Sequence, residues 1–150
     1  MAASRVEDGE IIGLGSGSTV ARFVVALADR VRREGFRVRV IPSSLQIGLV
    51  AEEAGLSMAE YHLITSVSSV FDGADQIDSE FRMVKGGGGA LFREKILLEA
   101  AERRFILADE GKFVDKLSKP IPVEASIFAR SLVYERLKIA GGRPKLRVDD

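Results

Sequence analysis

The chain has 150 residues, 46% apolar and 29% charged, and its 22 basic and 22 acidic side chains balance to zero formal charge. That is enough apolar material for one globular domain with a real core, which excludes a disordered tail or a collagen-like chain. The lack of a basic excess argues against nucleic-acid binding. Cysteine is absent, excluding disulfides, zinc–thiolate sites and iron–sulfur clusters, and the single histidine, His62, argues against a Ser-His-Asp hydrolase or a multi-histidine metal site.

No apolar run approaches the roughly 18 residues of a membrane span. The start, MAASRVEDGE, lacks the basic and apolar regions of a signal peptide, so a cytoplasmic protein with no membrane partner is expected. Asn and Trp are missing as well, which suits a heat-adapted source. A biased genome explains the composition equally well, since fifteen of the 22 basic residues are arginine.

In chain order, Glu10 to Leu14 reads as a buried strand that runs into the glycine cluster Gly13-Leu14-Gly15-Ser16-Gly17-Ser18-Thr19. Val20, Phe23, Val24, Leu27, Ala28 and Val31 then recur at helical spacing, and Gly35 stops the helix after a basic last turn. Arg37 to Ile41 is the next strand, closed by Pro42-Ser43-Ser44, and Leu45 to Ala54 the next helix, ending at Gly55. Val67 to Phe71 is a third apolar strand, and Phe81 to Val84 a short one before Lys85. A helix is predicted over Ala90 to Arg103, strands over Arg104 to Ala108 and Ile121 to Ala125, and a last helix over Ile127 to Ala140. This alternation predicts an α/β fold with a Rossmann-like, mostly parallel sheet flanked by helices. Its ligand sites belong at the C-terminal ends of the strands.

Three features fall at such ends. The loop Gly15-Ser16-Gly17-Ser18-Thr19 leads into a helix, where glycines, hydroxyls and backbone N–H groups can cradle a phosphate. A tight turn whose Ser or Thr merely caps the helix is the plainer reading. Ser18 stands where a dinucleotide fingerprint needs its third glycine, and no P-loop lysine follows, so nucleotide binding is disfavoured. Next, Asp72-Gly73-Ala74-Asp75 spaces two carboxylates three residues apart. They suit proton transfer, a divalent metal, or a solvated Asx-turn. The third feature is Lys85 followed by four glycines, Gly86 to Gly89, whose entropic cost makes sense where backbone passes against a ligand. There Lys85 can neutralise an oxyanion and Glu94, early in the next helix, can point back as a base. On its own Glu94 reads as one more exposed helical glutamate. Lys112 adds a cation after a later strand.

Together these stretches resemble the ribose-5-phosphate isomerase A family. Gly13 to Thr19 is similar to its GxGTGST loop, Ile41-Pro42-Ser43-Ser44 to V-P-T-S, and Phe71 to Asp78 to DGADEID with Gln76 for the usual Glu. Lys85 to Lys95 follows KGGGGALxREK, Asp109 to Lys112 resembles D-E-S-K, and Pro120 to Glu124 resembles P-L-P-V-E. The resemblance implies interconversion of ribose 5-phosphate and ribulose 5-phosphate with no metal or organic cofactor. It implies Glu94 as the base, with Asp72, Asp75 and Lys85 assisting. Ser16, Gly17, Ser18, Thr19, Asp72, Gly73, Ala74, Asp75, Lys85, Gly86, Gly87, Gly88 and Lys112 would line the substrate site. A dimer or tetramer is also implied. So is a division into a catalytic core, residues 1–125, and the beginning of a small α+β domain, residues 126–150, with part of an N-terminal helix and the C-terminal third missing. The rival expectations are a non-catalytic sugar-phosphate sensor, an amino-sugar-phosphate isomerase or deaminase, and a CoA transferase. A deaminase would want a catalytic histidine, and His62 reads as structural or surface-exposed.

Overall fold

The computed structural model describes residues 2–63 and 65–148. Strands β1 (Ile11–Leu14), β2 (Arg39–Pro42), β3 (Ser57–Met58), β4 (Val67–Gly73) and β7 (Ala101–Leu107) form one five-stranded sheet in the order β3-β2-β1-β4-β7. Every neighbouring pair in it runs parallel. Between β4 and β7, β5 (Gln76–Ile77) and β6 (Met83–Val84) pair as a separate antiparallel ribbon. The helices are α1 (Ser18–Glu34), α2 (Leu45–Glu53), α3 (Leu91–Ala100) and α4 (Arg130–Ile139).

The α1 periodicity translates directly into packing. Val20, Phe23, Val24, Leu27 and Ala28 are all buried, and Gly35 closes the helix in a left-handed conformation with its N–H on the Val31 carbonyl. Ser44 caps α2 by accepting the Ile47 N–H at 3.3 Å. These two helices cover one face of the sheet, where Ile12, Leu14, Val40 and Phe71 join them in the main core. Alternate strand residues point the other way. Ile41 and Val70 pack there with Leu97 of α3. Phe71 lies stacked between Phe23 and Phe105, with ring centroids 4.3 and 4.8 Å away, and so ties α1, β4 and β7 together.

Two expectations are corrected. The helix predicted to run to Arg103 ends at Ala100, and Ala101 to Arg103 already belong to β7. Sheet pairing wins there: Val67 and Ser69 of β4 take Ala101 and Arg103 as partners. Residues 121–125 form no strand, because their neighbours are site loops rather than a free sheet edge. The strand expected over Phe81 to Val84 is confined to β6, whereas the short β3 and β5 are too brief to carry a periodicity and are not expected from the sequence.

The sheet order reverses at β1, with the chain passing outward through β2 and β3 and then returning to add β4 on the other side. That places the ends of β1 and β4 side by side at a switch point, where open α/β sheets leave a crevice. Replacing Phe71 by Ala should lower the unfolding free energy by about 3–5 kcal/mol, read from urea denaturation. A loss below about 1 kcal/mol would show that the stacked rings do not join the layers.

Candidate active site

The crevice is lined by segments at the ends of four strands and by one helix. After β1 come Ser16 to Thr19, and the end of β4 contributes Asp72 to Asp75. Lys85 to Gly88 follow β6, Glu94 projects from α3, and Lys112 comes from a short turn after β7. Together they enclose about 140 Å³. Every residue named as a candidate from the sequence is on this wall. A larger hollow of about 550 Å³ lies beside β7, against Ala2, Ser4, Arg5 and residues 104–107, but it gathers no acid–base cluster.

At the centre, Lys85 Nζ sits 2.7 Å from Asp72 Oδ2 and 3.5 Å from Glu94 Oε2. It also donates to the Gly73 carbonyl. The Ser16 hydroxyl donates to Glu94 Oε1. Asp72 is 1% exposed and Glu94 3%, so the reading of Glu94 as an ordinary surface glutamate does not survive. Two buried carboxylates this close together require a cation, and Lys85 is held to both.

Close backbone approach explains the glycines. A Cβ on residue 15 would lie 1.9 Å from Asp72 Oδ1, and one on residue 87 would lie 2.5 Å from Asp75 Oδ1. Gly87 instead turns its N–H onto Asp75 Oδ2 at 2.8 Å. Asp72 and Asp75 therefore have separate partners rather than forming one Asx-turn, and Asp72 remains within β4. Among the described residues, no group of three or more His, Cys, Asp or Glu converges as a metal site would require.

The phosphate-cradle reading gains from α1. Gly17 is its N-cap, and no side chain caps the helix, so Ser and Thr there are not spent on the turn. His62 is exposed, with its ring edge against Tyr61, and it does not line the crevice.

Three site-forming residues had no role in the sequence reading. Gln76 accepts the Ser118 and Lys119 N–H groups, each at 2.9 Å, and donates to Ser118 Oγ at 3.0 Å. Glu124 accepts the Phe92 N–H at 2.8 Å, and Arg147 donates to the Gly87 carbonyl at 2.9 Å. The one clue in the sequence is Ala90, which occupies the N-cap of α3 with no side-chain acceptor.

A parallel sheet with a glycine-rich helix entry and a buried carboxylate–ammonium cluster at its switch point defines an α/β protein with an acid–base crevice. The pattern of ribose 5-phosphate isomerase A (phosphoriboisomerase A) matches residues 39–150. The chain belongs to that family. It is 43% identical over 150 residues to the ribose-5-phosphate isomerase A of Chlamydia pneumoniae and 45% identical over 147 residues to that of Chlamydia felis. Those alignments take in 99% and 97% of this chain but 65% and 63% of the relatives, so the chain spans less than two thirds of their length. Solved structures of similar fold include two that align with 99% of the chain. The ribose 5-phosphate isomerase A of Methanocaldococcus jannaschii has a TM-score of 0.90 at 35% identity, with 67% of its own chain covered. A D-ribose-5-phosphate isomerase in complex with phospho-erythronic acid has 0.89 at 33%, with 66% covered.

Two aspartates depart from the ordinary value of 3.8 in opposite directions. Burial pushes Asp72 up; Lys85 pulls against it without cancelling it, and the charge of Glu94 adds to the rise. Burial would raise Asp78 as well, but hydrogen bonds from Arg82 and the Glu80 N–H hold it low. Carbon-13 titration should therefore place the Asp72 midpoint above 3.8 and the Asp78 midpoint below it. By linkage, the Asp78 contribution to stability is present above 3.8 and lost as pH falls through its depressed value. Asp72 works the other way: stability declines as pH rises from 3.8 through its raised value, because the folded state holds that proton more tightly. Coincident midpoints would contradict this account of the two environments.

Proposed function

We propose that the crevice is the active site of a ribose-5-phosphate isomerase, which interconverts ribose 5-phosphate and ribulose 5-phosphate in the non-oxidative pentose phosphate reactions. The observation that carries this reading is Glu94, buried, hydrogen-bonded by Ser16 and 3.5 Å from Lys85, beside the uncapped start of α1. A carboxylate so held is an aimed base, and the helix start supplies a phosphate anchor at a distance from it.

In the forward direction the sugar ring first opens, with a proton leaving the anomeric hydroxyl and one arriving at the ring oxygen. Asp75 and Asp72 stand on that side of the chemistry as proton carriers. Glu94 then takes the proton from C2, and the electron pair forms the C1–C2 double bond of an enediolate. Lys85 offsets the negative charge at the oxygens. Glu94 returns the proton to C1, while the hydroxyl proton passes from O2 to O1, leaving a ketone at C2. No atom is gained or lost, and no metal or organic cofactor is called for. The phosphate binds at residues 17–19 with Lys112 as counter-charge, so its binding energy holds C1 and C2 against Glu94.

A sensor domain would have no use for a buried base between a hydroxyl and an ammonium. A deaminase using histidine would need His62, which lies outside the crevice. We also assign residues 126–150 to a second unit. This rests on α4, which has no buried residue, and on apolar side chains such as Phe128, 99% exposed. A dimer or tetramer accords with the same exposed apolar surface.

In a coupled isomerase assay, Glu94→Gln should lose at least about 10³-fold in kcat. It should still bind phospho-erythronic acid, whose planar carboxylate resembles the enediolate, within a few-fold of the unsubstituted protein. Turnover close to normal in this variant would sink the assignment. Lys112→Ala should raise KM roughly tenfold with kcat little changed. A fall in kcat alone would remove Lys112 from the phosphate.

A further inference from the structure

We infer that Glu124 is a positioning residue for Glu94, acting as a helix cap supplied from 32 residues along the chain. The inference rests on the isomerase reading, in which Glu94 is the base. Helix α3 begins after Ala90, which has no side-chain acceptor to offer. Its second residue, Phe92, donates its N–H instead to Glu124 Oε2 at 2.8 Å. This is the bond a local Ser, Thr, Asp or Asn cap would make, and a carboxylate there also faces the positive end of the helix.

The turn held in this way is the one that carries Glu94. The Glu94 N–H makes the first bond of the helix, to the Ala90 carbonyl at 3.0 Å. Uncapped helix ends fray from the first turn inward, and fraying here would release that bond and the carboxylate with it. Glu124 is itself held on a strap. Gln76 pins the strap at Ser118 and Lys119, and Pro122 packs against Gly86, where an added Cβ would come 2.9 Å from the proline ring. The strap therefore runs from the β5–β6 ribbon across the glycine loop to the start of α3. Glu124 is exposed and outside the crevice, so it reaches the reaction only through the backbone it holds.

The test compares Glu124→Ala with Glu124→Gln, which keeps a carbonyl acceptor. In Glu124→Ala, kcat should fall roughly ten- to hundredfold with KM for ribose 5-phosphate unchanged, as a slightly misplaced base requires. Glu124→Gln should recover kcat to within a few-fold. A purely structural role would lower Tm but leave kcat per folded molecule intact. That result, or a Glu124→Gln variant as impaired as Glu124→Ala, would overturn the inference. Amide exchange at Phe92 and the carbon-13 signal of the Glu94 carboxyl provide readouts that need no turnover. Exchange should quicken about tenfold in Glu124→Ala and the Glu94 signal should move. If the unsubstituted protein does not isomerise ribose 5-phosphate, the functional reading fails, and these two signals decide the cap alone: movement supports it and constancy overturns it.

Discussion

The ammonium of Lys85 is what the centre of the molecule depends on. Asp72 and Glu94 are both withdrawn from water, and two carboxylates in that state repel each other and lose their hydration. Lys85, at 2.7 Å from one and 3.5 Å from the other, makes their coexistence possible. Each of the three arrives on a different element: Asp72 within the last residues of β4, Lys85 just beyond β6, and Glu94 on the first turn of α3. The ion cluster is therefore also a tertiary tie, and the chemistry and the local fold stand on the same contacts.

The backbone around that cluster is arranged to let oxygens and nitrogens come close. Gly15 leaves room for the Asp72 carboxylate, and Gly87 offers its N–H to Asp75. Ser16 reaches from the β1 loop to the Glu94 carboxylate, linking two walls of the crevice. These loops meet because β1 and β4 are neighbours at the point where the strand order reverses. Phe71, one residue before Asp72, is clamped between Phe23 and Phe105 and fixes the end of β4 from the opposite face.

The strap of residues 118–124 adds a second layer of support from outside the crevice. Its later part falls in the stretch Ile121 to Ala125 that the apolar Ile121, Pro122 and Val123 suggest as a strand. The structure instead uses its polar ends: Gln76 at one and the start of α3 at the other. A glutamine at position 76 suits this, since one amide both accepts backbone N–H groups and donates to the Ser118 hydroxyl, whereas a carboxylate only accepts.

Much was legible in the sequence alone. The period of Val20, Phe23, Val24, Leu27 and Ala28, the stop at Gly35 and the apolar strands 11–14 and 67–71 each follow from local pattern. Motif spacing likewise marked the loop 15–19, the pair Asp72 and Asp75, Lys85 with its glycines, and Glu94. Tertiary structure alone decided that α3 yields to sheet pairing at Ala101, that Asp72 pairs with Lys85 rather than turning toward Asp75, and that Glu124 serves as a cap. The reason is range. Periodicity, caps and turn residues act over a few neighbours and are written in order along the chain. A buried ion pair or a borrowed helix cap joins residues tens of positions apart, and only the folded path of the backbone determines which of them meet.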